Sequence, residues 1–346
     1  MNEITKKKPI FKVGESLRKY LHRYGRSVNF HVQYDDLLHF RSSFPLRDKK
    51  GKDTLWESVF YNPTEMIQIN KSLTEIYALL KTGGDITVME HLYVERVDYC
   101  TFGNSKPFRI RIVNNFNDNF DYFYVKQADS SRIYGLELEH ILSPNRISFY
   151  VDRETMVEEH IAGIPGDMFI SNNLQQDDLN EIRLAKEFVK FNERCFVRLL
   201  GDMRSYNYVI DITPDFEEVH YRIRAIDFDQ QSYEGRKSLY MPQFFKENKA
   251  FVDVCIKHMT PETINQYQVE ERTLIAKRIG AARHKLYDLM EIMKKDTIST
   301  VEKTIELRND LASYANLNSF LKCNSMGDIV KTSLKEMIRR NKHHIK

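Results

Sequence analysis

The spacing of hydrophobic positions changes along the chain and divides it into four zones. Between Thr64 and Leu80 the residues Met66, Ile69, Leu73, Ile76, Tyr77 and Leu80 recur at helical spacing, and Gly83-Gly84 stops the pattern. The remainder of the first ninety residues mixes short helical patterns with a polar, lysine-rich loop around Asp48-Lys49-Lys50-Gly51-Lys52-Asp53. From about His91 to Ile161 the texture is that of strands. Val94–Cys100, Phe108–Val113 and Phe120–Val125 are rich in β-branched and aromatic residues and are separated by turn residues. A helical stretch over Ile133–Leu142 is stopped by Ser143-Pro144-Asn145. Two further strands follow, Arg146–Val151 and Thr155–Ile161, joined by Asp152-Arg153-Glu154. Three strands, one helix and two strands suit a small antiparallel sheet with a helix against it, within an α+β chain.

Past Ala162-Gly163-Ile164-Pro165-Gly166 the pattern predicts a helix from about Asp178 to Glu193 and a strand over Phe196–Leu200. A hairpin comes next, with strands Tyr206–Ile212 and Glu218–Ile226 about a turn at Thr213-Pro214-Asp215. From about Pro242 the chain is helical, and Ile275, Ile279, His284, Leu286, Leu289 and Met293 fall near one apolar stripe. The terminal Arg339, Arg340, Lys342, His343, His344 and Lys346 fit a solvated basic helix end. The expected organisation is a mixed helical N-terminal extension over residues 1–90, a small sheet unit over 91–162 and a larger, mainly helical unit over 163–346.

Composition narrows the function classes. Hydrophobic residues make up 42% of the 346 and charged residues 29%, as in ordinary globular proteins, with nineteen Tyr and twenty-one Phe to fill a core. A net charge of +3 with interspersed signs argues against a nucleic-acid partner. Cys100, Cys195, Cys255 and Cys323 lie far apart with no histidine at ligand spacing, so neither a disulfide framework nor a zinc site is expected, and reduced thiols in the cytoplasm are. The basic start, Met1 to Lys8, has no apolar run behind it, and no window approaches eighteen consecutive apolar residues. Neither a signal peptide nor a membrane span is expected.

The candidate chemistry is concentrated in Leu200-Gly201-Asp202-Met203-Arg204-Ser205-Tyr206-Asn207 and, twenty residues on, Ile226-Asp227-Phe228-Asp229. Phosphoryl transfer needs an acceptor hydroxyl held in line and cations to spread charge over the phosphates. An aspartate at the hydroxyl can orient it and accept its proton. An asparagine five residues later and an aspartate at the end of a paired strand supply oxygen ligands for hard Mg²⁺. The intervening hairpin brings Asn207 and Asp227 to the same end.

This stretch resembles the H-G-D-x-x-x-x-N … I-D-F/W pattern of aminoglycoside phosphotransferases and choline-kinase-like enzymes, and the H-R-D-x-x-x-x-N … D-F-G pattern of protein kinases. The resemblance covers roughly residues 92–235 and implies a two-lobed protein-kinase-like fold that uses ATP and Mg²⁺. It implies Asp202 as catalytic base, Arg204 beside the moving phosphoryl group, and Asn207 and Asp227 as metal ligands. Phe123-Tyr124-Val125-Lys126 looks like the small-lobe strand whose lysine contacts the α- and β-phosphates. Glu137 is similar in position to the glutamate that pairs with that lysine, with Glu139 as the alternative. Thr155 to Gly163 looks like the segment between the lobes, where the backbone of Glu159 to Ile161 would bind an adenine edge.

Three features depart from the pattern. Leu200 replaces the usual histidine, the phosphate turn Asp98–Ser105 has a single glycine, and no A-P-E follows Asp227. The sequence therefore leads to an ATP-dependent phosphotransferase acting on a hydroxyl of a small molecule or a protein. A catalytically weak nucleotide-binding scaffold and nucleotidyl transfer on the same fold stand as alternatives.

Overall fold

Phe108, Ile110 and Ile112 alternate with Arg109 and Arg111, and this period of two builds the middle of a seven-stranded antiparallel sheet. The computed structural model describes residues 8–48, 50–85, 87, 90–215 and 219–341. They divide into two compact units: the described residues of Met1–Asp129 with Ile147–His160, and those of Ser130–Arg146 with Ile161–Lys346.

The first unit contains α1 (Glu15–Arg23), α2 (Tyr34–Leu37), β1 (Ser42–Arg47), β2 (Asp53–Phe60), α3 (Pro63–Thr82), β3 (Leu92–Cys100), β4 (Phe108–Asn114), β5 (Phe120–Gln127), β6 (Phe149–Asp152) and β7 (Thr155–Glu159). The strands lie in the order β1-β2-β3-β4-β5-β7-β6. One face buries Phe108, Ile110, Phe123, Val125 and Val157 against Leu73, Ile76 and Tyr77 of α3. The Tyr77 hydroxyl donates to Asp121 on β5 at 2.9 Å. Pro63 opens α3 and Gly83 ends it at φ 67°, the proline and glycine placements that the two helix ends require. On the other face Asp98 is fully buried between Arg96 and Arg109, at 2.7 and 2.8 Å. Asp98 is thus committed inside the sheet and is not part of an open turn.

Two expectations need correction here. The sheet has seven strands and not five, because β1 and β2 arise within the zone taken as an N-terminal extension. β1 is an edge strand without a buried residue, so its sequence carries no alternation to detect. The first ninety residues accordingly contribute α3, β1 and β2 to the sheet unit. By its contacts the helix near residue 133 is grouped with the second unit.

That second unit contains α4 (Ser130–Leu142), β8 (Ile164–Pro165), α5 (Gly166–Asn172), α6 (Glu181–Arg198), β9 (Tyr208–Pro214), β10 (Val219–Ala225), α7 (Lys249–His258), α8 (Pro261–Ala281), α9 (Arg283–Met293), α10 (Val301–Ala315) and α11 (Met326–Arg340). A small sheet runs β10-β9-β8. The amphipathic α6 lies at the centre and packs on α7, α8, α11 and β10. Phe188 stacks on Phe251, with ring centroids 5.2 Å apart, and Phe251 stacks on Phe169. Asn180, Thr260, Thr300 and Ser325 cap α6, α8, α10 and α11 with side-chain oxygens that accept backbone N–H bonds.

The helix α4 is buried almost all round. Its polar residues are therefore paired: Glu137 with Lys285 at 2.8 Å, Glu139 with Arg198, and Tyr134 with Asp296. The expected strand over Phe196–Leu200 is the end of α6, which Leu199 terminates in the left-handed region at φ 57°. The expected single stripe of Ile275 to Met293 spans two helices that break at Ala282. Its Ile275, Leu286, Leu289 and Met293 are buried, whereas His284 is exposed. Arg339 and Arg340 end α11, while Lys342, His343, His344 and Lys346 lie outside the described residues, as do Lys49, Glu218 and Met1 to Lys7.

Gly166 is a close-packing point. A Cβ there would stand 2.4 Å from the Ser205 carbonyl oxygen and 2.5 Å from the Tyr208 ring. Neither neighbour can yield cheaply, since one is backbone and the other a buried ring. Gly166→Ala is expected to cost roughly 1–3 kcal/mol through overpacking, seen as a lowered melting temperature. An unchanged melting temperature would show that the contact relaxes freely.

Candidate active site

The loop after α6 is pinned before any catalytic role is considered. Leu200, wholly buried where the resembling families carry histidine, donates its amide to Cys195 O at 2.9 Å. Gly201 N bonds Gln230 O at 3.1 Å and Asp202 N bonds Leu239 O at 3.0 Å. A Cβ on Gly201 would meet that same Gln230 oxygen at 3.0 Å, so glycine permits the close approach. Asp202 itself has φ 57°, a left-handed backbone that is costly for a non-glycine residue and concentrates at functional sites.

Asn207 ends a short 3₁₀ turn, Ser205–Asn207, at the start of β9. Its Nδ2 donates to Asp202 O at 2.7 Å, and its carbonyl accepts from Ile226 N at 3.0 Å. The β9–β10 register places Tyr208 opposite Ala225. Asp202, Asn207 and the Ile226-Asp227 step are thereby joined by direct bonds, and the hairpin brings Asn207 and Asp227 to one end. β9 begins two residues later than the sequence pattern predicts and runs on through Thr213 and Pro214, which the pattern places in the turn, while β10 ends at Ala225.

Burial raises the Asp202 carboxyl, the Arg204 guanidinium opposes the rise, and the negative charges of Asp227 and Glu247 add to it. The outcome is a pKa pushed up to about 6. Arg204 bonds Asp202 Oδ1 through Nε and Glu247 Oε1 through Nη1, both at 2.8 Å, and lies over the Phe245 ring. Asp227 Oδ1 accepts from Arg132 Nη2 at 2.7 Å and from Asp229 N at 3.0 Å. Arg132 Nε in turn bonds Asp229 Oδ1 at 2.7 Å.

Glu247 and Arg132 are the site residues that sequence reasoning misses. Neither sits in a motif, and each reaches the site from a distant element, Arg132 from α4 and Glu247 from a short turn at Lys246–Asn248.

For the Mg²⁺ that the resemblance implies, Asn207 and Asp227 offer one neutral and one anionic oxygen group. Their chemistry fits a hard cation that takes its remaining ligands from water and phosphate. Among the described residues no group of three His, Cys, Asp or Glu could hold a metal. The protein's share of the coordination shell is therefore partial.

In the first unit Lys126 is buried on β5 and pairs with Glu158 on β7. The glutamates that the resemblance sets beside it, Glu137 and Glu139, have partners within the second unit. Glu137 binds Lys285, and Glu139 pairs with Arg198 and accepts from Ser143 and Asn145. The Lys126–Glu158 pair follows from the register: Lys126 is opposite Met156, so Glu158 is its diagonal neighbour on the same face. Glu159 ends β7, and its amide and carboxylate both bond the Ser148 backbone, at 3.0 and 2.9 Å. Ile161 is buried, and among the described residues its amide has no hydrogen-bond partner. The segment Thr101 to Pro107 carries Gly103 at φ 90°.

No protein-family model matches this chain, and no curated protein matches it. Among solved structures it is similar to the autoinhibited serine kinase domain of the giant muscle protein titin, at 13% identity and a TM-score of 0.30. That match covers 71% of this chain and 93% of the other. It is also similar to titin kinase with its flanking domains, at 12% identity and a TM-score of 0.29, over 71% of this chain and 54% of that one. No helix among the described residues is long and apolar enough to cross a membrane. All four cysteines are free thiols.

Proposed function

We propose that the chain is a two-lobed kinase-like phosphotransferase that moves the γ-phosphoryl group of ATP to a hydroxyl of a small molecule or a protein. The grouping of Asp202 with Asn207, and of Asn207 with the Ile226 amide next to Asp227, carries the reading, because it puts a raised-pKa carboxylate near two hard oxygen groups. Asp202 accepts the hydroxyl proton as that oxygen bonds to the γ-phosphorus and the bond to the β-phosphate oxygen breaks, releasing ADP. Arg204 balances charge on the moving group. Lys126 binds the α- and β-phosphates, Glu137 supports the α4 side, and the backbone at Glu159 and Ile161 takes the adenine edge. Asn207 and Asp227 would hold Mg²⁺, which would supply positive charge to the phosphates. The free thiols suit a cytoplasmic setting.

The direct test is incubation of the protein with Mg-ATP and chromatography of the nucleotides. ADP supports phosphotransfer or hydrolysis, AMP or pyrophosphate moves the assignment to nucleotidyl transfer, and unchanged ATP with every hydroxyl acceptor tried rejects an active enzyme. The last outcome would favour a nucleotide-binding scaffold, a reading supported by the Arg132 ion pair on Asp227.

Two further results are expected. Millimolar Mg-ATP raises the melting temperature by mass action, and no shift at that concentration would reject nucleotide binding. The acid limb of kcat/KM has its midpoint near pH 6, because Asp202 is protonated below that value and cannot accept a proton there. A profile flat down to pH 4.5 would remove Asp202 from the role of base.

A further inference from the structure

We propose that Arg132 is a built-in counter-cation at Asp227 that keeps free divalent ions out of the site and reserves it for metal that arrives on a nucleotide. The inference rests on the reading of Asp227 as a metal ligand. One guanidinium spans two carboxylates, Asp227 Oδ1 through Nη2 and Asp229 Oδ1 through Nε, each at 2.7 Å. Arg132 is only 2% exposed, and arginine stays protonated at any working pH. Its helix is itself fixed, by Glu137 on Lys285, Glu139 on Arg198 and Tyr134 on Asp296. The positive charge therefore cannot swing into solvent when a cation approaches Asp227.

A bare divalent ion at Asp227, whose side chain is 34% exposed, must compete with the guanidinium for the Oδ1 oxygen that Arg132 already holds. An ion already bound to a polyphosphate brings its own negative charge and meets much less opposition. Arg132 thus favours binding of the metal–nucleotide complex over stepwise loading of metal first. It also holds the Asp227 carboxylate in a fixed orientation.

Manganese titration of the full chain, followed by electron paramagnetic resonance without nucleotide, tests the proposal. The parent protein is expected to bind free Mn²⁺ weakly, because Arg132 already occupies the Asp227 carboxylate. Arg132→Gln is expected to bind it at least tenfold more tightly, and Arg132→Lys, which keeps the charge, to stay near the parent. Adding Asp227→Asn to Arg132→Gln is expected to abolish the gain.

Unchanged or weaker binding in Arg132→Gln overturns the proposal, as does a gain that survives Asp227→Asn. Should Arg132→Gln not fold, the parent decides: free Mn²⁺ bound at micromolar affinity through Asp227 overturns it equally. Nucleotide turnover is measured separately. Turnover without a manganese gain sinks this inference alone, and a gain without turnover sinks the phosphotransferase reading alone.

Discussion

Asp202→Asn lowers turnover roughly 10²–10⁴-fold, the usual contribution of a positioned base, and leaves ATP affinity nearly unchanged. The substitution keeps the size of the side chain, and the Asn207 amide can still bond the Asp202 carbonyl, because that bond is made to backbone. What disappears is the charge, which acts in the transition state and contributes little to holding nucleotide.

The same variant makes a second, independent forecast. Folding raises this carboxyl from its ordinary 3.8 to about 6, so the folded state binds the proton more readily than the unfolded one. The stability associated with the protonated form is complete below about pH 4 and is lost as pH rises through about 6. At neutral pH the ionised Asp202 therefore destabilises the fold, by an amount on the order of 1–3 kcal/mol. Asp202→Asn should melt at or above the parent temperature while losing turnover. A variant that is both inactive and less stable would mark Asp202 as a structural turn residue. One that is fully active would remove the base assignment.

The cluster around Asp202 was legible in the sequence because its geometry is local. Asn207 follows five residues later in one loop, and a single hairpin returns Asp227 to the same end. Helix α3 was legible for the same reason, its apolar spacing and terminal glycine being contained in twenty residues. The pairings that were missed all depend on tertiary contact. Lys126 faces Glu158 because β7 lies beside β5, and the pattern of each strand says nothing about its neighbour. The charged residues of α4 look like surface positions in sequence, yet the helix is buried and each has a distant partner. Edge strand β1 escaped for the opposite reason, since a strand with no buried side chain needs no hydrophobic alternation.

Lys126→Met is expected to fail twice, and the two failures can be separated. Lys126 and Glu158 form an ion pair in which both side chains are only 7% exposed. Removing Lys126 takes one partner from a buried ion pair, which is destabilising even though Glu158 keeps a further interaction of its own. Lys126→Met alone should therefore lower the melting temperature strongly, and loss of activity in it would be uninformative. Lys126→Met with Glu158→Gln removes the buried negative charge, keeps a hydrogen-bonding group at 158 for its further interaction, and should recover part of the lost stability. If Lys126 binds the α- and β-phosphates, the double variant folds like the parent, and both its ATP affinity and its rate remain low. That pattern differs from Asp202→Asn, where affinity persists. A stable double variant with parental ATP affinity and turnover would make the Lys126–Glu158 pair purely structural, and the phosphates would then have to be held by other residues.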